Sequence, residues 1–399
     1  MRAVLDRTPV RGDTLLLLAG ALVVAANLRP AVASVPPILG DLRQQLGLSA
    51  ASAALLASVP VLCFGALSPL APRLRRRFGE ERVMLACLAC LVLGLGLRAG
   101  LPETLLFPGT LLAAGAIAVM NVLSPSLIKH RFPQRVGGML GLYTLTLNLG
   151  ATVAAGATAP VYDASGGSVT ASLGMWALLA LVGLLAWTPQ LRASRAVPAD
   201  DPPAAAPTGR LLRSRLAWQV TLFMGLQSLL FYATLSWLPT LYRDRGADAT
   251  DAGLLLSLAT FAGIASAFVA PMIGQRRRDQ RAVTAATVLL TASGLAGTIA
   301  APVWAAPLFM IMLGLGQGAA IALALLFMIL RTPDAQTSAA LSGMAQTIGY
   351  LLAATGPLVT GLLHTASGGW TVPVLFLLAL VAVEFGVGLA AARDRTLHM

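Results

Sequence analysis

The sequence predicts an all-α integral membrane protein with twelve transmembrane helices in two pseudo-symmetric six-helix halves and both termini in the cytoplasm. Three observations predict it. Of the 399 residues, 57% are hydrophobic and 11% are charged, whereas a soluble domain of average usage carries about 25% charged residues. Apolar stretches of the ~20 residues needed to cross a bilayer recur twelve times. Positive charge alternates with them: 23 of the 28 lysines and arginines fall on the face holding the N-terminus, and four, Arg43, Arg98, Arg243 and Arg245, fall on the other. That asymmetry makes the N-terminal face cytoplasmic.

The first span, 14–39, follows the basic segment "MRAVLDRTPVR". Such a segment also opens signal peptides, but the apolar run continues well beyond the small pair Ala25-Ala26, which favours a spanning helix. Spans two to six are read at 50–72, 82–101, 104–128, 136–160 and 169–188. The segment from Arg192 to Arg210, "RASRAVPADDPPAAAPTGR", is rich in Pro, Ala and charge and has nothing to pack a core with. It divides an N-terminal half, 1–190, from a C-terminal half, 216–399, through a cytoplasmic linker at 191–215. Spans seven to twelve follow at 217–242, 252–274, 282–301, 303–330, 338–363 and 371–392. Trp187, Trp218, Trp304 and Trp370 fall at span ends, where an aromatic belt would place them.

Several function classes drop out. Cys63, Cys87 and Cys90 lie inside spans, so they offer no disulfide framework, and Cys87-x-x-Cys90 reads as packing thiols. His130, His364 and His398 lack metal-ligand spacing. No cofactor or metal is expected. The net charge of +12 sits in cytoplasmic loops, which argues against nucleic acid as a partner. The expected partners are the bilayer and a small-molecule substrate, and the expected state is a monomer in the inner cell membrane. Glycine-rich "GLGLRAG" (94–100) and "GLGQG" (314–318) look like nucleotide loops only by letter, because they lie in apolar helices with no preceding strand. The outward loops carry no cluster of His, Cys or acids of the kind membrane enzymes need, so the protein is not read as an enzyme.

The halves resemble each other in register. "APRLRRRFGEERV" (71–83) answers "APMIGQRRRDQRAV" (270–283), "RFP" (131–133) answers "RTP" (331–333), Gly156 answers Gly356, and "VPPILGD" (35–41) answers "LPTLYRD" (238–244). A parallel repeat of six spans, joined by a long cytoplasmic linker, is the architecture of major facilitator transporters.

Polar residues at mid-span depth carry the functional signal. Arg29 is the only charged side chain between Thr14 and Leu39, and an arginine there costs at least ~2.5 kcal/mol even on lenient insertion scales. Pro30 follows it and can free backbone groups. Its two readings are a substrate-binding cation and a buried ion pair with Glu384 in span twelve. Further candidates for the site are Asn27, Asn121, Tyr143, Gln227, Tyr232, Gln317, Gln346 and Tyr350, with Trp237 as an outer cap. Each neutral group has the alternative of holding helices together, a role favoured for Asn148 and Ser228. Ser228 and Tyr232 share a helix face, as do Gln346 and Tyr350. Lys129, the only lysine, ends span four as an interfacial charge or a second station on the exit path.

The segments "NLRPAVASVPPIL" (27–39), "NVLSPSLIKHRFP" (121–133), "MGLQSLLFYATLSWLPTLYRDRG" (224–246) and "LSGMAQTIGYLLAATGP" (341–357) resemble the cyanate and 2-nitroimidazole transporter family of the major facilitator superfamily. The resemblance implies alternating access, with a small polar or anionic solute bound near the midplane. Arg29 would then hold an anion or nitro group through its planar fork. The only acid in the pathway candidates is Glu384, and span five keeps Gly141 and Gly150 but has Ala154-Ala155 where antiporters carry Gly-Pro. Uniport, exchange or potential-driven movement is therefore preferred over a proton-coupled multidrug exporter, and a transporter-like solute sensor would need a larger output domain.

Overall fold

The computed structural model describes residues 11–100, 103–131, 136–193 and 211–397. Twelve helical spans run through it. The first is built of pieces, Arg11–Asn27, Pro30–Ala33, a 3-10 turn Pro36–Ile38 and Leu39–Gln45. Span 2 is Ala50–Leu67, continued by Ser68–Leu70 and Ala71–Phe78. Spans 3 to 6 are Glu80–Gly100, Glu103–Arg131, Val136–Ala164 and Val169–Trp187. Spans 7 to 12 are Arg215–Asp244, Ala249–Gln275, Arg281–Ala300, Ala306–Leu330, Ala335–Ser367 and Thr371–Ala391. Among the described residues, eleven of these are long and apolar enough to cross a membrane. The predicted linker lies largely outside the described residues.

Local chemistry sets the helix ends. Ser49, Ser168, Ser214, Asp248 and Asp334 each accept a backbone N–H three residues on, at the starts of spans 2, 6, 7, 8 and 11, which satisfies donors that a helix start leaves free. Span 11 stops at Gly368, whose φ of +66° is open to glycine. The two glycine-rich segments prove to be helix crossings. A Cβ on Gly94 of span 3 would sit 2.6 Å from the Ala113 nitrogen of span 4, and one on Gly314 of span 10 would sit 2.0 Å from the Ala259 carbonyl oxygen of span 8. Backbones can approach that closely only without side chains.

The pseudo-symmetry shows in how each half closes its cytoplasmic end. The Trp187 indole at the end of span 6 donates to the Glu81 carbonyl oxygen at the start of span 3, at 3.0 Å. In the other half the Gln280 N–H, just before span 9, donates to Ala392 O after span 12 at 3.2 Å. Arg331 of "RTP" strengthens that second closure: it is buried, its Nε donates to Ala391 O at 2.9 Å, and one Nη serves Ala392 O at 3.0 Å and Gln280. Of the span-end tryptophans, Trp304 is 83% exposed, whereas Trp187 and Trp370 are buried. Those two are buried because their indole N–H groups find protein acceptors, Glu81 and Asp244.

The halves meet along three seams: span 5 against span 8, span 2 against span 11, and the outer part of span 1 against span 7. Gly253 of span 8 abuts the Ala155 carbonyl oxygen, and Gly65 of span 2 abuts Leu351.

Candidate functional site

Pro30 breaks span 1. It lacks an N–H, so the Ala26 carbonyl four residues earlier loses its helical donor, and the chain turns through Leu28 and Arg29 before restarting at Pro30. Two neighbours support the break. Gly150 of span 5 lies so close that an added Cβ would stand 2.7 Å from Ala26 O and 3.5 Å from the Pro30 ring. From span 3, Arg98 donates to Ala31 O at 2.6 Å and to the Ser34 hydroxyl at 3.3 Å. Gly150→Ala is accordingly expected to push spans 1 and 5 apart and to destabilise the fold by about 1–3 kcal/mol. A thermal melt in detergent checks it, with unchanged stability arguing against a tight seam.

The break presents Arg29 to the interface between the halves. One Nη of Arg29 donates to the Tyr232 hydroxyl of span 7 at 2.8 Å. The guanidinium lies 5.9 Å from the ring centres of both Phe231 and Tyr232, within range of a cation–π attraction. Tyr350 of span 11 and Tyr143 of span 5 complete its polar surroundings. Tyr232 and Tyr350 stand 6.5 Å apart in an edge arrangement, and Phe64 of span 2 packs against both at 6.3 and 6.0 Å. Arg29 itself stays partly exposed between buried Leu28 and Pro30, and its Nε has no hydrogen-bond partner. No ion pair reaches it among the described residues. A cation in this position, without a carboxylate, has donors to spare for an anion.

The other candidates divide. Tyr143, Tyr232 and Tyr350 join Arg29, while Asn121 and Gln346 are half-buried with side chains that form no protein hydrogen bond among the described residues. Four are turned elsewhere. Asn27 donates to Val23 O in its own helix at 2.8 Å and packs toward Gly183 of span 6. Gln227 bonds Met224 O and Ser228 at 3.0 and 2.6 Å, Gln317 bonds Thr234 at 2.9 Å, and Trp237 donates to Pro357 O at 2.8 Å and packs on Trp370. Each is buried with a partner in its own half. The buried ion-pair reading of Arg29 is not what the structure has: Glu384 is buried in span 12 with no partner for Oε2, one turn from Gly388, which touches Phe223 and Thr284. The side chain of Lys129 lies outside the described residues. Phe64 and Phe231 were missed because apolar rings in an apolar helix carry no mark of their own; adjacency of Phe231 to Tyr232 was the one available signal.

Arg98 also departs from its expected place. Counted as an outer-loop charge, it is only 4% exposed and points into span 1. The outer face then keeps Arg43, Arg243 and Arg245, which sharpens the charge asymmetry. Arg245 caps the end of span 9 through Thr298 and Ala301 carbonyls.

The outer end of the interface is closed. Arg243 of span 7 grips Asp41 of span 1 with two hydrogen bonds, 2.5 and 3.0 Å. Thr250 of span 8 donates to Asp163 of span 5 at 3.2 Å, and Ser257 donates to Thr152 O at 3.0 Å.

Residues 17–357 match the family model described as Major Facilitator Superfamily. The chain belongs to the major facilitator superfamily. Over 385 residues it is 40% identical to "Uncharacterized transporter YycB" of Bacillus subtilis (strain 168), covering 95% of this chain and 94% of the relative. It is 37% identical to the 2-nitroimidazole transporter of Escherichia coli (strain K12), covering 97% and 98%, and 30% identical to the Cyanate transport protein CynX of the same organism, covering 87% and 90%. Among solved structures, a bacterial homolog to the human lysosomal transporter Spinster superposes with a TM-score of 0.78 at 14% identity, covering 98% of this chain and all of that one. The protein is thus a multi-pass membrane transporter of a superfamily of carriers rather than enzymes.

Proposed function

We propose that this transporter moves a small polar or anionic solute, of the cyanate or nitroaromatic kind, by alternating access, with Arg29 as its central binding cation. The observation that carries the reading is the Arg29–Tyr232 contact: a guanidinium with no carboxylate partner among the described residues, broken out of span 1 and met by a hydroxyl from the opposite half. An anion bound there would take the spare donors of the fork and add hydroxyls from Tyr232, Tyr350 and Tyr143. Because Arg29 and Tyr143 belong to one half and Tyr232 and Tyr350 to the other, a ligand would bridge the two parts that must rock. The similarity to carriers named for 2-nitroimidazole and cyanate supports that substrate class. With no acid paired to Arg29 among the described residues, the reading favours uniport, exchange or movement driven by membrane potential.

Uptake of labelled cyanate into proteoliposomes, with a 2-nitroimidazole and nitrate as competitors, tests the proposal. Saturable uptake that nitrate or the nitroimidazole suppresses is the expected result. Saturable uptake of bulky organic cations, with none of cyanate, would overturn it in favour of drug export.

A further inference from the structure

Besides supporting the break in span 1, Arg98 is a buried arginine outside the central cluster. Arg98 is 4% exposed and its Nε lacks any partner. No acid pairs with it among the described residues. Two of its donors are occupied by Ala31 O and Ser34, so a full positive charge is held in the protein interior by neutral acceptors alone. That is an expensive arrangement unless an anion joins it.

Arg98 also lines a small cavity between the halves. The walls include Val32 and Val35 of span 1, Pro60 of span 2, Thr110 of span 4 and, from the opposite half, Ser236 of span 7. Its position along the path follows from residue spacing. Ser236 is one helical turn past Tyr232, about 6 Å along span 7, and Val32 is three residues past Arg29; both steps run outward. Leu39 is part of its wall, and two residues further along span 1 comes the Asp41–Arg243 grip. The order from centre to outside is therefore Arg29 with Tyr232, Arg98 with Ser236, then the closed end.

We infer that Arg98 and Ser236 form a second anion-binding station, which takes the solute from the outer side and passes it one turn inward to Arg29. Both stations bring together an arginine of the N-terminal half and a hydroxyl of the C-terminal half, bonded at Arg29–Tyr232 and lining one cavity at Arg98–Ser236. Two cationic stops in series let an anion move without ever sitting in apolar surroundings, and neither stop holds it too firmly to leave. The ligand class is a small monovalent anion. The inference rests on the reading of the substrate as such an anion.

Bromide is the probe, because its anomalous scattering marks position directly. Wild-type crystals equilibrated with bromide are expected to show one peak in the Arg98–Ser236 cavity and one at Arg29. A peak at Arg29 alone would overturn the second station and leave the central site standing. A peak at Arg98 alone would support the station and overturn the reading of Arg29, and no peak at either would overturn both. In flux assays Arg98→Gln is expected to raise the external half-saturation concentration about tenfold while the maximal rate holds, a tenfold change being 1.4 kcal/mol. Arg98→Lys, which keeps the charge but loses the fork, is the second variant should the first not fold. A merely structural Arg98 would lower the maximal rate or the yield of folded protein in both variants and leave half-saturation unchanged.

Discussion

Arg29→Gln is expected to lose saturable anion uptake while its thermal stability stays equal to wild type or rises. The two effects have opposite signs for one reason. Arg29 donates to Tyr232 and pairs with no carboxylate among the described residues, so its charge is a desolvation burden that a neutral side chain relieves. With an anion present, the same charge supplies charge-assisted hydrogen bonds worth about 1.5–3 kcal/mol each. Loss of one such bond corresponds to an increase of about 10- to 150-fold in half-saturation concentration. Uptake and melting temperature measured on the same preparation separate the outcomes. Normal uptake with a lowered melting temperature would make Arg29 a structural residue and remove the basis of the proposed mechanism.

The second large effect belongs to the outer closure. Asp41→Asn leaves one oxygen to accept from Arg243 but removes the charge, and it is expected to shift the population toward states open to the outside. The pair is part-exposed, at 27% for Arg243 and 19% for Asp41, so its strength lies between that of a surface bridge and a buried one. A shift of about 1–2 kcal/mol, roughly 5- to 30-fold in population, is the expected scale. Ser236→Cys provides the readout, because Ser236 is buried at the interface inward of the closure. In a background where Cys63, Cys87 and Cys90 are replaced, a membrane-impermeant maleimide added outside should label Cys at that position several-fold faster in the Asp41→Asn protein. Exchanging the two charges, Asp41→Arg with Arg243→Asp, should bring labelling back toward wild type. Equal labelling in all three proteins would mean that Thr250–Asp163, Ser257–Thr152 and the glycine seams keep the outer end shut without the ion pair.

Much of this architecture was readable in one dimension. The depth of the bilayer demands a minimum run of apolar residues, and the twelve runs match the twelve helices to within a few residues at most ends. The "GLGLRAG" and "GLGQG" segments could be placed at helix crossings because an apolar helix with small residues has few other uses. Arg29 stood out because a charge in a spanning helix is rare enough to need a cause. By contrast, Gln227, Gln317 and Trp237 sit in spans 7 and 10 and looked equivalent to Tyr232, yet all three are turned to partners within their own half.

What the sequence by itself determined is the number of spans, their orientation and the depth of the central arginine, since hydropathy and charge asymmetry are properties of each segment against the membrane. What only the tertiary structure decided is which polar groups meet. Tyr143, Tyr232 and Tyr350 converge on Arg29 from three helices, and Arg98 leaves the outer surface to hold the turn of span 1. Depth along a helix follows from counting residues, but the direction a side chain faces depends on how neighbouring helices pack. That packing rests on close approaches such as Gly150 on Ala26, which no single segment encodes.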